Sequence, residues 1–199
     1  MKDGSRLINN EGKRTFIAVN LDSKIKNALS DIQKNIYVGE SKIKWLKPNL
    51  LHITLEFLGD QSPGQIEIIR QLLKKITVCR KSFVISLSSN IGVFPSLKKP
   101  RVIWVGIENG NTKLKKISEM IKSSLLKNLL LKDSKEFHSH ITIGRVKYLN
   151  DRNILVNNIN DIHLKRESQK INSIELMESK LTPTGPIYSI IERFPLVNH

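Results

Sequence analysis

The tetrapeptides His52-Ile53-Thr54-Leu55 and His140-Ile141-Thr142-Ile143 repeat one pattern 88 residues apart, and they are the residues of this chain best suited to chemistry. An unperturbed imidazole has a pKa of about 6.5, so near neutral pH one ring of a pair can give a proton while the other takes one. Two hydroxyls can donate hydrogen bonds to oxygens on which negative charge builds. An in-line displacement at phosphorus puts the attacking and leaving oxygens on opposite sides, and so needs a proton acceptor and a proton donor on opposite sides. A duplicated His-x-Thr pair supplies both. Spacing alone does not say which histidine is the acid and which the base.

Each motif must sit on a strand for this to work. Alternation sends residues i and i+2 to one face about 6.5–7 Å apart, so each His shares a face with its own Thr while the intervening Ile enters the core. Both motifs lie in apolar, β-branched runs, residues 51–58 and 137–146, as that requires. Residues 14–19 read as an opening strand, and Asp22 caps a helix bearing Ile25, Ala28, Leu29, Ile32 and Ile36 on one face. Gly39 ends that helix, residues 42–46 are extended, and Ser62-Pro63 begins a second helix with Ile66, Ile69, Leu73 and Ile76. Residues 83–87 and 102–107 read as strands, Leu114 to about Leu131 as a third helix, and 162–166, 174–177 and 188–191 as short strands with a turn at 182–186. Strands mixed with too few helices for continuous βαβ alternation predict an α+β fold with largely antiparallel sheets.

The chain has 199 residues, enough for one domain with a sizeable core, and we expect a flexible polar tail over residues 1–13 followed by a single domain over 14–199. Thirty-three Lys and Arg against eighteen Asp and Glu give a net charge of +15, a field that draws polyanions, nucleic acid first among them. The single cysteine, Cys79, excludes an internal disulfide and any multi-cysteine metal centre, and with no export pattern it points to the cytoplasm. No apolar run reaches the ~20 residues of a membrane span. His138 should share a face with His140, but no Asp, Glu or Cys clearly completes a ligand set, so no metal or cofactor is expected. His163 and His199 have no motif context. There is no Gly-rich Lys-Ser/Thr phosphate loop, which argues against an ATP-dependent ligase or kinase.

The flanks of the two motifs resemble the two-histidine (2H) phosphoesterase superfamily, and within it the RNA 2′,3′-cyclic phosphodiesterase (2′-5′ RNA ligase-like) branch, almost end to end. The resemblance is carried by Arg14-Thr15-Phe16-Ile17-Ala18-Val19, Trp45-Leu46-Lys47-Pro48-Asn49-Leu50-Leu51-His52-Ile53-Thr54-Leu55-Glu56-Phe57-Leu58-Gly59 and Gly92-Val93-Phe94-Pro95-Ser96 with Pro100-Arg101-Val102-Ile103-Trp104. Phe137-His138-Ser139-His140-Ile141-Thr142-Ile143-Gly144-Arg145 and Leu181-Thr182-Pro183-Thr184-Gly185-Pro186-Ile187-Tyr188 complete it. It implies a bilobal fold of two facing sheets with pseudo-twofold symmetry and helices on the outer faces. It implies metal-independent opening of an RNA terminal 2′,3′-cyclic phosphate to a 2′-phosphate, with His52 as proton donor and His140 as proton acceptor. The reverse reaction, joining RNA ends through a 2′–5′ linkage, would use the same pair. Thr54, Thr142 and Arg145 would contact substrate, and the partner would be RNA with a cyclic phosphate end, tRNA fragments included. Ser139 stands where the family often has Pro. Phe16 could stack on a base near the cleft, or belong to the core. Lys98, Lys99 and Arg101 form a basic cluster suited to steering a phosphate backbone. Two alternatives stay open: a 2H enzyme acting on small cyclic phosphates or 2′–5′ oligonucleotides, and a non-catalytic RNA-binding module.

Overall fold

A computed structural model of the chain describes residues 12–131, 136–162 and 164–198. His163, His199 and residues 1–11 of the expected tail lie outside the described residues. The first lobe carries β1 (Lys13–Asn20), β3 (His52–Gln61), α2 (Pro63–Thr77), α3 (Asn111–Lys127), β8 (Ser173–Thr182) and β9 (Gly185–Pro195). The second carries α1 (Ser23–Asn35), β2 (Lys42–Trp45), β4 (Phe83–Phe94), β5 (Val102–Ile107), β6 (His140–Tyr148), α4 (Arg152–Asp161) and β7 (Ser168–Ile171).

The strands run β7-β4-β5-β6-β3-β1-β8-β9, with β2 also on β6, and their ladders are antiparallel. The two expected sheets are thus the halves of one curled sheet. They join where β3 meets β6 at the pair Ile53–Ile141, and β2 takes over the same edge of β6 from Gly144 onward. Helices cover the outer face of the sheet, and a single apolar cluster fills the space between, with Ile17, Ile25, Leu29, Ile53, Ile69, Ile103, Leu114, Ile141 and Ile143 at 0 % exposure.

Helix starts follow their local sequence. Asp22 Oδ1 accepts the Ile25 N–H at 2.8 Å, and Ser62 and Gln65 form a reciprocal capping box ahead of Pro63. The third helix is shorter than its apolar spacing suggests. Leu129 takes a left-handed φ of 55° and the Leu130 N–H turns back to the Leu125 carbonyl at 3.0 Å, which closes α3 at Lys127.

Two expectations near the C-terminus fail together. Residues 162–166 form no strand among the described positions, and the preceding segment folds as the unforeseen α4. Its β-branched and Asn-rich sequence has weak helix propensity. Burial of Leu155 and Ile159 and an Asp151 cap, which accepts the Asn153 N–H at 2.7 Å, override that preference. The two short strands expected after it are one long hairpin, β8–β9, with register unbroken from Ser173–Pro195 to Thr182–Gly185 except for one shift.

Candidate active site

Alternation along β3 and β6 buries Ile53, Leu55, Ile141 and Ile143 and leaves His52, Thr54, His140 and Thr142 half-exposed on the opposite face. The Ile53–Ile141 pair fixes how the motifs confront each other. Antiparallel register about that pair sets His52 across from Thr142 and Thr54 across from His140, the relation a local twofold axis produces.

Each strand then carries a bulge at the same point of its motif. Thr54 pairs with Ala18 and Glu56 with Ile17, so Leu55 is the extra residue; Thr142 pairs with Trp104 and Gly144 with Ile103, so Ile143 is the extra residue. A bulge reverses the alternation beyond it. Phe57 and Arg145, five residues after their histidines, therefore return to the cleft face. Helices reach the carbonyls at both bulges, and that of Ile143 also accepts the Leu46 N–H at 2.9 Å. Ser118 Oγ of α3 donates to the Leu55 carbonyl at 2.8 Å, and Gln33 Nε2 of α1 to the Ile143 carbonyl at 2.8 Å.

Both imidazoles are held by the same device. His52 Nδ1 lies 2.7 Å from the Leu50 carbonyl and His140 Nδ1 2.7 Å from the His138 carbonyl. A carbonyl can only accept, so Nδ1 carries the proton in each ring and Nε2 is left for proton transfer. His52 Nε2 is 2.9 Å from Thr54 Oγ1, whose hydroxyl donates to it while the ring is neutral. Aromatic rings wall both: Phe16 and Tyr188 at 5.0 and 5.3 Å from His52, Phe94 and Trp104 at 5.1 and 6.1 Å from His140.

Burial pushes both imidazoles below the ordinary histidine value, because it penalises the charged ring. The bonds to Leu50 and His138 oppose this, and the Arg145 charge adds to it at both rings. Arg145 also acts on the Tyr188 hydroxyl, which burial drives up. One exposed guanidinium on β6 thus lies within the field of both histidines and of β9 across the cleft.

The structure gathers His52, Thr54, His140, Thr142 and Arg145 on one face. Phe16 is corrected: it is 3 % exposed, packed with Ala18, Met177 and Tyr188 behind His52, and offers no open face to a base. Phe57, at 66 % exposure and 6.2 Å from Phe16, is the open aromatic of that lobe. Sequence reasoning gave no role to Phe57, Phe94, Trp104 or Tyr188, because no spacing rule ties them to the motifs. His138 is exposed beside Phe94, and Lys98, Lys99 and Arg101 are exposed on the loop after β4. Among the described residues, no three His, Cys, Asp or Glu side chains gather as metal ligands. A cavity of about 690 Å³ between α3 and the start of β4 contains neither histidine.

The family model described as LigT-like phosphoesterase matches residues 19–104, which include the first motif. A protein of Methanothermobacter thermautotrophicus named RNA 2′,3′-cyclic phosphodiesterase is 31% identical over 92% of this chain and 98% of its own length. One of the same name from Aquifex aeolicus is 33% identical over 92% of this chain and 97% of its own length. The crystal structure of TT0787 of Thermus thermophilus superposes with a TM-score of 0.78 at 25% identity, covering 92% of this chain and 97% of that one. That of Escherichia coli LigT in apo form gives 0.76 at 20%, covering 94% and 99%, and shows a common fold. With paired His-x-Thr strands on one cleft and relatives of this identity matched end to end, the chain belongs to the LigT-like, two-histidine phosphoesterase family.

Proposed function

We propose that the protein opens the 2′,3′-cyclic phosphate at the end of an RNA to a 2′-phosphate. His140 Nε2 takes the proton of the attacking water, and His52 Nε2 gives its proton to the departing 3′ oxygen. Thr54 and Thr142 donate to the non-bridging oxygens, and Arg145 offsets their charge. Supplying acid, base and positive charge from side chains, the reaction requires no metal or cofactor. Replacing water by a ribose 5′-hydroxyl gives the reverse, 2′–5′ joining reaction on the same groups. The substrate class is RNA with a cyclic phosphate end, tRNA fragments included, and a net charge of +15 favours its capture. A cytoplasmic setting fits a single, exposed, unpaired Cys79.

The observation that carries this reading is the matched tethering of the two rings, each Nδ1 bound to the carbonyl two residues before it, on either side of the Ile53–Ile141 pair. An oligonucleotide ending in a 2′,3′-cyclic phosphate, incubated with the protein and a chelator, should yield the 2′-phosphate. A 3′-phosphate product would overturn the assigned leaving group. His52→Ala and His140→Ala should each lower turnover by about 10²–10⁴-fold. Full activity in both would overturn the acid–base assignment.

A further inference from the structure

The cavity of about 690 Å³ between α3 and the start of β4 lies on the flank of α3 away from the cleft. Asn111, at the start of the helix, is bonded at 2.6 Å to Ser139, the neighbour of His140, and Lys113 lines the cavity two residues later. With 3.6 residues per turn those two side chains point to opposite flanks, so the cavity stands roughly one helix diameter of 10–12 Å from the His140 side. Arg80 and Lys81, on the loop between α2 and β4, form one rim, and Lys113 and Lys116 of α3 form the other. All four are exposed, and none is in an ion pair among the described residues. Lys115, on the cleft flank of the same helix, pairs instead with Glu136 at 3.7 Å. Glu119 is the one carboxylate in the lining.

Like charges crowded around one concavity repel, and on a helix the i,i+3 pair Lys113 and Lys116 are neighbours, so the arrangement gains when a polyanion enters it. The volume lies within the ~300–1,000 Å³ range of ligand sites. The floor is apolar, made by Phe83, Ile117 and Met120. Lys113 Nζ stands 5.6 Å from the centre of the Phe83 ring, which is itself 4 % exposed, so the one aromatic of the lining offers no open face to a base. Recognition there falls to phosphates rather than bases. The Ser82 hydroxyl in the wall is buried with no hydrogen-bond partner among the described residues, a donor still to be satisfied. We infer that this cavity is a second RNA contact, which holds backbone phosphates of nucleotides upstream of the end bound in the cleft and does not read their sequence. An RNA whose end lies at His140 reaches the cavity by crossing α3. A mononucleotide therefore fills the cleft alone, and a longer strand engages both.

RNA as the occupant rests on the proposed function, and the experiment keeps the two failures apart. Lys113→Gln with Lys116→Gln removes one rim, and Arg80→Gln with Lys81→Gln the other. Lys34→Gln with Lys75→Gln, at exposed positions outside the lining, removes the same charge elsewhere. The full chain is given adenosine 2′,3′-cyclic phosphate, or an oligoribonucleotide of about 16 nucleotides, the long end of single-strand site sizes, with the same cyclic end. Binding of that strand ending in a 2′-phosphate is followed against salt by fluorescence anisotropy. Each rim variant should raise KM and Kd for the long strand several-fold and flatten the slope of log Kd on log salt by about 1.4, the effect of two phosphate contacts. Both rim variants should turn over the mononucleotide as the wild type does, and the control pair should match the wild type on both substrates. Equal losses in rim and control variants overturn the site, since overall charge would then account for them. So do equal losses on the mononucleotide and the long strand, which would arise in the cleft. If the rim variants lose calorimetric binding of inorganic tripolyphosphate but handle the long strand as the wild type does, the cavity takes small polyanions and the RNA assignment falls. If the wild type consumes no cyclic phosphate, the acid–base reading falls, and the anisotropy measurements still decide the cavity.

Discussion

Ile53 and Ile141 face each other where β3 meets β6, and each stands between the His and the Thr of its own motif. The separation of the two His–Thr pairs is therefore set where two side chains at 0 % exposure meet rather than by anything in the cleft. Close packing transmits a change there directly to both motifs.

Ile53→Ala and Ile141→Ala should each cost about 2–5 kcal/mol of stability, as large-to-small core changes do. Ile69→Ala, in α2 and also at 0 % exposure, is the control. Urea unfolding should show comparable losses in all three, whereas kcat at a temperature where all remain folded should fall only in the first two. Equal kcat across the set would show that the pair does not govern the geometry.

The pH dependence follows from the direction of both histidine shifts. Under the proposed acid and base roles the productive free enzyme has His52 protonated and His140 neutral, and burial holds both rings below 6.5. The bell in kcat/KM should therefore centre below pH 6.5. A bound phosphate stabilises imidazolium, so the bell in kcat should lie at higher pH than that in kcat/KM. Stability carries the matching sign. Below the unfolded value of about 6.5 the unfolded chain binds more protons than the folded one, so these rings lower stability as pH falls from there through their folded values. A kcat/KM optimum above pH 7.5 would contradict the assignment.

Arg145 lowers both histidine pKa values by its charge. Arg145→Met should move both limbs of the kcat/KM profile to higher pH. The same change should raise KM for an oligonucleotide and reduce its dependence on log salt by about one phosphate contact. A profile that keeps its position would remove Arg145 from the cleft field.

Ser118 stands on α3, and its hydroxyl caps the bulged Leu55 carbonyl inside the core. Ser118→Ala leaves that carbonyl unpaired and should cost about 1–3 kcal/mol. Because the bulge sets which face the rest of β3 presents, kcat/KM for an RNA end should fall more than stability alone explains. Ser62→Ala, which breaks the α2 capping box and touches no part of the cleft, should cost about 1 kcal/mol and leave kcat/KM unchanged.

Much of this was legible along the chain because it depends on local periodicity and local caps. The alternation that puts His52 with Thr54 and His140 with Thr142 is a property of any strand, and Asp22 and Ser62 act within their own first turns. Phe16 was ambiguous for the same reason: alternation puts it on the cleft side of β1, and only the packing of Tyr188 and Met177 over it shows that this part of the face is closed. The helix α4 was not legible because burial of Leu155 and Ile159 outweighs the weak helix propensity of its own segment.

The sequence by itself determined the two His–Thr pairs, their place on strands, and the net positive charge of the chain, since residue type and a period of two suffice for each. Only the tertiary structure decided that the two strands are neighbours paired at Ile53–Ile141, and that bulges turn Arg145 and Phe57 back to the cleft. It also decided that a cavity of about 370 Å³ opens beside His140. Those features arise from pairing and packing between segments distant in the chain, where the balance of buried area and satisfied carbonyls is struck across the whole fold and not within any one stretch of it.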